Sequence, residues 1–263
     1  MGYVRRMATD ATLYSVDHGI GTITLNRPDN RNALSVDLVN SLGDHLEEAI
    51  DDPAVRVIVL TNKGNTFCAG ADLSAPTSTV EPGARSRTFV EIFEMIITSG
   101  TPVMGKINGH CMGGGVGLAA VLDISVASDE VKFGFTEVRL GVAPAVISVV
   151  CLPKLRMADA KELFLTGERI SAERAASVGL INRAASPDDI DDVVAKIAAN
   201  VSRGGPVGLA ACKELIAKVP EDNRDEAFEW TAKLSADLFR GEEGQAGIAA
   251  FRERRDAPWV PQG

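Results

Sequence analysis

The chain has 263 residues, enough for one large domain or for a core domain with a smaller appendage. Its formal net charge of −9 provides no basic field that could hold nucleic acid or an anionic membrane surface. No apolar run approaches the roughly 18 residues of a membrane span, and no apolar stretch follows the N-terminal arginines as a secretory signal would require. The composition therefore favours a cytoplasmic protein that holds any anionic ligand with local groups.

The four cysteines indicate a reducing compartment and no metal. Cys68, Cys111, Cys151 and Cys212 form no CxxC pair, and no His stands at ligand spacing from them. A structural zinc site needs such clustered ligands. We therefore expect no metal and free, mostly buried thiols.

For about the first 185 residues, short strands are predicted to alternate with helices. Alternating apolar residues on both sides of His18-Gly19 indicate a hairpin, and Ser35 is placed to cap the first helix. The predicted elements are strands at 12–17 and 21–26, a helix at 35–50, a strand at 55–61, a loop at 62–72, a mobile segment at 76–84, a helix at 85–99, a strand at 102–108, a loop at 109–115, a helix at 116–122 and a strand at 123–127.

Beyond Gly141 the pattern is mostly helical. Ser171 is placed to cap one helix, and further helices are predicted near 187–203, 206–218, 222–239 and 242–253. We find no sequence repeat of 20–50 residues. The chain is thus predicted to be an α/β protein, with a core at 1–200 that carries the site and a helical region at 201–263.

The glycine cluster within 107–120 is the most informative stretch, because a strand leads into Gly113, Gly114 and Gly115 and then into a helix. The first turn of a helix offers unpaired N–H groups and the positive end of the helix dipole. Three interpretations are open: tight helix–strand packing, a dinucleotide site on the GxGxxA pattern that ends at Ala120, and an oxyanion hole. A P-loop is excluded because GxxxxGK[ST] is absent.

An oxyanion hole needs a second donor, and residues 65–73 could supply it. There a strand ends, and the small residues Ala69, Gly70 and Ala71 leave backbone N–H groups open to an incoming group. Taken alone, this segment is typical of a turn.

These two segments, in this order, resemble the crotonase (enoyl-CoA hydratase/isomerase) superfamily. The resemblance extends from about residue 12 to 259. Further matching motifs are Leu25-Asn26-Arg27-Pro28, Asn32-Ala33-Leu34, Leu122-Asp123-Ile124, Phe133-Gly134 with Glu137, Leu140-Gly141-Val142 with Pro144, Leu165-Thr166-Gly167, residues 175–179 and residues 251–255.

The resemblance implies a spiral of ββα units, a helical C-terminal trimerisation region and a homotrimer or hexamer. It implies an acyl-CoA thioester as substrate, with its carbonyl oxygen held by the N–H groups of Ala71 and Gly114. Such preorganised donors lower the barrier to enolate formation by roughly 3–4 kcal/mol each. No cofactor is implied beyond the coenzyme A of the substrate.

The resemblance also implies a path for coenzyme A. One segment would line the adenine and pantetheine path, and three arginines could approach phosphates, with a solvated surface role as the other interpretation of each arginine. The residues concerned are Ala69, Asp72 and Leu73 for the path, and Arg27, Arg31 and Arg254 for the phosphates.

Hydratases of this superfamily use two glutamates, and this chain keeps one of them. Glu137 stands in the Phe-Gly-x-x-Glu segment, whereas Gly117 occupies the position of the other glutamate. Glu137 is the candidate acid–base, since an apolar pocket raises a carboxyl pKa; the alternative is a surface pair with Arg139. We expect Gly117 to open space beside the substrate's α-carbon for a branched or carboxylated chain.

Three functions remain open at this point. The first is an enoyl-CoA hydratase that adds water across the 2,3 double bond, and residues 136–148 resemble a bacterial subgroup associated with hydration of branched glutaconyl-CoA. The second is a Δ3,Δ2-enoyl-CoA isomerase, which needs only one base. The third is a non-catalytic acyl-CoA binder.

Overall fold

The computed structural model describes residues 11–73 and 86–260, which form two β-sheets surrounded by helices. The strands are β1 (Thr12–Asp17), β2 (Ile20–Leu25), β3 (Val57–Asn62), β4 (Thr66–Cys68), β5 (Val103–Ile107), β6 (His110–Met112), β7 (Ile124–Ser128), β8 (Lys132–Gly134), β9 (Ile170–Ser171) and β10 (Arg183–Ala185). The helices are α1 (Val36–Asp51), α2 (Phe89–Thr98), α3 (Gly114–Val121), α4 (Ala145–Cys151), α5 (Met157–Thr166), α6 (Ala172–Ser177), α7 (Ile190–Ser202), α8 (Pro206–Lys218), α9 (Arg224–Arg240) and α10 (Glu242–Glu253).

The larger sheet has six strands in the order β1-β2-β3-β5-β7-β10. The predicted hairpin is confirmed: β1 and β2 pair antiparallel, and His18 and Gly19 take the positive φ values of its tight turn. The remaining pairs are parallel. Alternate residues of β3 enter different cores, Ile58 and Leu60 the main one and Val57 and Val59 the one under α7.

The smaller sheet, in the order β4-β6-β8-β9, was missed by the sequence analysis. Its strands β4 and β6 lie inside segments 62–72 and 109–115, which were predicted to be loops. Strands of two or three residues are too short to show an alternating pattern. They are held by their neighbours, as when Cys111 pairs with Cys68 on one side and with Phe133 on the other.

Three parallel strands of the large sheet, β3, β5 and β7, are each followed by a short strand of the small sheet and then by a helix. This gives β3-β4-α2, β5-β6-α3 and β7-β8-α4. The ββα spiral implied by the resemblance is therefore confirmed, although no repeat is visible in the sequence. The repeat lies in the backbone geometry, and different side chains satisfy it in each unit.

Most predicted helices are confirmed to within a few residues. The Ser35 side chain accepts a hydrogen bond from the N–H of Leu38 and caps α1 as predicted. Helix α2 begins later than the predicted residue 85, at Phe89, because Thr88 and Glu91 form a capping box. The predicted mobile segment at 76–84 lies outside the described residues.

Helix α3 runs through the main core. Its residues after Gly114 are all buried, which fits a helix that is apolar on every side. The helix starts two residues earlier than predicted, at Gly114 instead of Val116. Gly114 and Gly115 therefore belong to the first turn of the helix, and Gly113 is its N-cap.

The C-terminal helices dock on the core through α8. Lys213 of α8 donates to the carbonyl of Ile96 at 2.8 Å and to Asp123 Oδ2 at 2.7 Å. Within the described residues, no helix is both long and apolar enough to cross a membrane. The boundary between 1–200 and 201–263 stays a prediction.

Candidate active site

The first half of the candidate oxyanion hole lies just after β4. The N–H of Leu34 donates to the carbonyl of Gly70 at 2.8 Å, and Leu34 and Ala71 form an isolated parallel bridge. In a parallel bridge of this kind, the bonds to Leu34 are made by the residues on either side of Ala71. The N–H of Ala71 therefore points away from Leu34. Gly70 has a φ of +86°, which favours glycine at that turn.

The second half lies where β6 turns into α3. Gly113 has φ +52° and ψ −124°, a conformation for glycine, and its N–H donates to the carbonyl of Gly134 at 2.9 Å. Gly114 is the first residue of the helix, so its N–H has no acceptor one turn earlier within α3. This free N–H stands at the positive end of the helix.

The two halves are packed backbone against backbone. A Cβ added to Gly70 would lie 2.9 Å from the nitrogen of Gly114, and one added to Gly114 would lie 3.4 Å from Cα of Gly70. A Cβ on Gly115 would lie 2.1 Å from the carbonyl oxygen of Cys68. The structure thus brings the segments of Ala71 and Gly114 together, and only glycines permit this approach.

Glu137 lies beside this pair, in a short 3-10 turn at Thr136–Leu140. Its Oε1 is 3.2 Å from the position that a Cβ on Gly113 would take. Its Oε2 is buried and has no hydrogen-bond partner. Burial raises the pKa of Glu137 above its usual value. Among the described residues no ion pair joins Glu137 to Arg139, so the surface-pair interpretation is wrong.

The raised pKa of Glu137 has a consequence for stability. A carboxyl that binds its proton more tightly in the folded state destabilises the fold as pH rises from its ordinary pKa of 4.5 through the folded value. The variant Glu137→Gln stays neutral, so its Tm should exceed that of the wild type near pH 7, and the difference should shrink near pH 4. Thermal unfolding at both pH values measures this. A difference independent of pH would contradict it.

An apolar cleft of about 450 Å³ opens over these groups. Ala71, Gly114 and Glu137 line it, as do Ala69 and the exposed Leu73. Most of the remaining wall is aliphatic or aromatic and includes Leu34, Val39, Phe89, Leu140 and Ile147. The cleft can therefore receive an acyl chain with its carbonyl at the two amides.

Gly117 does not open the space that the sequence analysis expected. It is buried in α3 and does not line the cleft. A Cβ on Gly117 would lie 2.2 Å from Cγ2 of Ile147 and 3.0 Å from Cζ of Phe93. The expectation was wrong, because the volume left by the missing side chain is filled by Ile147 from α4.

Gly117→Ala should lower the free energy of unfolding by about 1–3 kcal/mol, because the new methyl group overpacks the core against Ile147. Gly208→Ala is a matched control in another helix, where the nearest atom, Glu243 Oε1, is 3.6 Å away. That variant should gain up to about 1 kcal/mol from helix propensity. Urea unfolding of both variants measures the contrast. Equal free energies of unfolding for the two variants would show that α4 moves away from the new methyl group at little cost.

The candidate coenzyme A residues lie in different places. Arg31 is exposed, and its carbonyl accepts from the N–H of Ala69, a residue of the cleft wall, at 3.1 Å. Arg27 is half-buried, with Nη1 3.9 Å from Asp37 Oδ2. Asp72 accepts a hydrogen bond from the side chain of Asn30 at 3.0 Å. Arg254 is exposed at the end of α10 and is not among the residues that line the cleft.

The cysteines and His110 have local roles. Burial raises the pKa of Cys68 and Cys151 to about 12 and that of Cys111 well above its usual value, so these thiols stay protonated near neutral pH. Cys212 is exposed. His110 Nδ1 accepts from the N–H of Lys132 at 3.0 Å. In 11–73 and 86–260, no group of three His, Cys, Asp or Glu side chains is placed to hold a metal ion.

Arg87 is a cleft residue that the sequence analysis missed. It precedes the cap of α2, and no motif draws attention to it. The sequence did contain one indirect sign of this contact, in α1. Gly43 lies within that helix, where glycine costs about 1 kcal/mol relative to Ala, and such a glycine indicates close packing against another side chain. An added Cβ on Gly43 would lie 2.2 Å from Cδ of Arg87.

A ββα spiral in which a helix N-terminus and a glycine turn meet over a buried carboxyl group defines a class of proteins built to hold an oxyanion. The family model described as enoyl-CoA hydratase/isomerase matches residues 15–262. The chain belongs to this enoyl-CoA hydratase/isomerase family.

Similar proteins span nearly the whole chain. A protein of Thermus thermophilus is 33% identical over 241 residues, with 90% of this chain and 95% of that protein covered. The crotonyl-CoA hydratase of Syntrophomonas wolfei is 29% identical over 258 residues, with coverage of 97% and 99%. The solved structure of Pseudomonas aeruginosa AtuE has a TM-score of 0.87 at 29% identity, with coverage of 95% and 99%. The likeness therefore includes the C-terminal helices as well as the core.

Proposed function

We propose that this protein is an enoyl-CoA hydratase that adds water across the 2,3 double bond of an enoyl-CoA thioester. The observation that carries the proposal is the carboxylate of Glu137, buried against Gly113 beside the free N–H of Gly114. A proton-transfer group and an oxyanion donor thus stand at one end of an apolar cleft. The crotonyl-CoA hydratase similar to this chain adds support.

In the proposed mechanism Glu137 accepts one proton and then donates it. Its carboxylate takes a proton from water as the water oxygen bonds to C3, and the π electrons move to form an enolate at C2 and the carbonyl oxygen. The N–H groups of Ala71 and Gly114 stabilise that oxygen. Protonated Glu137 then returns the proton to C2, so hydrogen and hydroxyl add to the same face. The raised pKa of Glu137 suits a group that both takes and gives a proton.

The proposal is tested with purified full-length protein on two thioesters of equal length. A 2-enoyl-CoA should lose its conjugated absorbance and gain one oxygen from labelled water. A 3-enoyl-CoA should be converted slowly or not at all. If the 3-enoyl-CoA instead gains conjugated absorbance and its product contains no labelled oxygen, the protein is an isomerase and the proposal of hydration is wrong.

Isomerisation is the second candidate, and one observation favours it. Within the described lining of the cleft, Glu137 is the only carboxyl group, and the position of a second glutamate is filled by Gly117 and Ile147. A shuttle of one proton between C2 and C4 needs only one base. The non-catalytic binder is less well supported, because a buried, unpartnered carboxyl oxygen destabilises a protein that has no use for it. Binding of acyl-CoA without turnover of either thioester would favour it.

The roles of the coenzyme A residues are also part of the proposal. Ala69, Asp72 and Leu73 would line the adenine and pantetheine path, with Arg31 and Arg27 near the phosphates. Arg254 would act from the C-terminal region. The reaction as written uses no cofactor other than the coenzyme A of the substrate, and we place the protein in the cytoplasm.

We also propose that the region 201–263 assembles the protein into a homotrimer or hexamer. The supporting observation is a set of large apolar side chains exposed on α8, α9 and α10, namely Ile216, Phe228, Phe239 and Phe251. Exposed apolar surface of this kind marks contact sites. Light scattering on the purified protein measures the mass, and a monomer would overturn the assembly.

A further inference from the structure

Helix α4 closes one side of the acyl cleft through Ile147. This side chain is 3% exposed, and it is one of the residues that line the cleft. It lies on the inner face of α4, one turn before the fully buried Cys151. An added Cβ on Gly117 would lie 2.2 Å from Cγ2 and 2.7 Å from Cβ of Ile147. Helices α3 and α4 therefore touch at this point and leave no room for a methyl group.

This contact lies beside the candidate oxyanion donor. Gly117 follows Gly114 by three residues, which is about 4.5 Å along the axis of α3. The Cα–Cβ bonds of a helix tilt toward its N-terminus, so a group at the Cβ position of Gly117 covers the turn that starts at Gly114. Ile147 occupies that position. Its side chain therefore packs against the turn whose first N–H is the candidate donor.

Other side chains hold Ile147 in this place. Phe93 Cζ is 3.0 Å from the Cβ position of Gly117, and Phe93 is 4% exposed. Phe93 also packs against Phe89, with the two ring centroids 4.4 Å apart. The wall formed by Ile147 is thus part of the close-packed core, and it yields less to a ligand than an exposed side chain does.

A substrate would meet this wall at C2. This step rests on the proposed function, which places the thioester carbonyl oxygen at the N–H of Gly114. C2 is bonded to the carbonyl carbon, so it is the chain carbon closest to the first turn of α3. Glu137 has to reach the same carbon to transfer its proton, and its carboxyl group lies at Gly113, just before that turn. The position for C2 is therefore bounded by the carboxyl group of Glu137 and by the side chain of Ile147.

We infer that Ile147 closes the cleft beside C2, so that the protein accepts acyl-CoA thioesters with no substituent on C2 and rejects those that carry one. A methyl group on C2 would overlap with Ile147, as a Cβ on Gly117 would. A branch on C3 is one carbon farther from the first turn of α3 and does not meet this contact.

The test is calorimetric binding of saturated acyl-CoA thioesters, which bind without being turned over. The chains are butanoyl, 2-methylbutanoyl in each configuration, and 3-methylbutanoyl. The two branched chains have the same number of atoms, so their comparison isolates the position of the branch. With the wild type, both 2-methyl forms should bind about tenfold more weakly than the 3-methyl form, because one methyl group overpacks the wall.

Removal of the wall should remove this difference. Ile147→Ala should bring the affinities for the 2-methyl and 3-methyl chains to within about twofold. Addition of Gly117→Ala to Ile147→Ala returns a methyl group to the same contact and should restore part of the difference. Ile147→Val is a milder change that preserves the fold, and it should reduce the difference in part.

Val149→Ala is the matched control, because it shortens another aliphatic side chain of the same helix. Val149 is 73% exposed and is not among the residues that line the cleft. This variant should keep the tenfold difference. Thermal unfolding confirms that each variant is folded.

The possible outcomes separate this inference from the proposed function. Equal binding of the 2-methyl and 3-methyl chains to the wild type, or a difference that survives Ile147→Ala, overturns the inference alone. A wild type that binds the 3-methyl chain more weakly than the 2-methyl chain places the wall at C3 and also overturns it. Failure of every acyl-CoA to bind overturns the proposed function as well.

Discussion

Glu137→Gln should reduce kcat on a 2-enoyl-CoA by about 100- to 10,000-fold, the range that a positioned general acid–base contributes. The amide has the shape of the carboxyl group but cannot take a proton from water. The apolar cleft and the two backbone donors are unchanged, so Kd for a saturated acyl-CoA should stay within about twofold. Steady-state kinetics and calorimetry measure the two effects separately.

The pH dependence gives an independent check on Glu137. Because the base must be ionised, kcat/KM of the wild type should rise with pH through the pKa of Glu137, which burial raises above 4.5. The residual activity of Glu137→Gln should lack that rise. Glu130→Gln, at an exposed carboxyl group, is the control and should behave as the wild type. A variant of Glu137 with near-normal kcat would remove the residue from the mechanism.

Gly70→Ala should reduce kcat by about 100- to 1,000-fold, which is the effect of losing one oxyanion-hole donor. The new methyl group would stand 2.9 Å from the nitrogen of Gly114, between the two segments that have to converge. Either the two N–H groups move apart or the methyl group blocks the oxygen. Either change weakens the stabilisation of the negative charge that develops on the thioester oxygen, and neither displaces Glu137.

The control for Gly70→Ala is Gly19→Ala, in the β1–β2 hairpin. Both glycines have a left-handed φ, +86° at Gly70 and +77° at Gly19, so this backbone strain should cost each alanine about 1–2 kcal/mol of stability, to which the close contact with Gly114 adds at Gly70. Only the change at Gly70 should affect kcat. If both variants keep full activity, the convergence of Ala71 and Gly114 is not required for the reaction.

The elements that the sequence predicted well are those with local causes. The His18-Gly19 turn, the Ser35 cap and the apolar face of α1 act within a few residues. The glycine cluster at the start of α3 was visible for the same reason. The small sheet was not predicted, because its short strands are defined by partners in other parts of the chain.

The candidate site shows the same division. The sequence by itself identified the two donor segments, the single glutamate and the family, because glycines at fixed positions and ordered motifs are properties of the chain as written. The tertiary structure decided what surrounds them: Ile147 fills the space beside Gly117, and Arg87 lies in the groove at Gly43. Such contacts join residues far apart in the chain, and close packing of side chains, which no local pattern encodes, determines which of them meet.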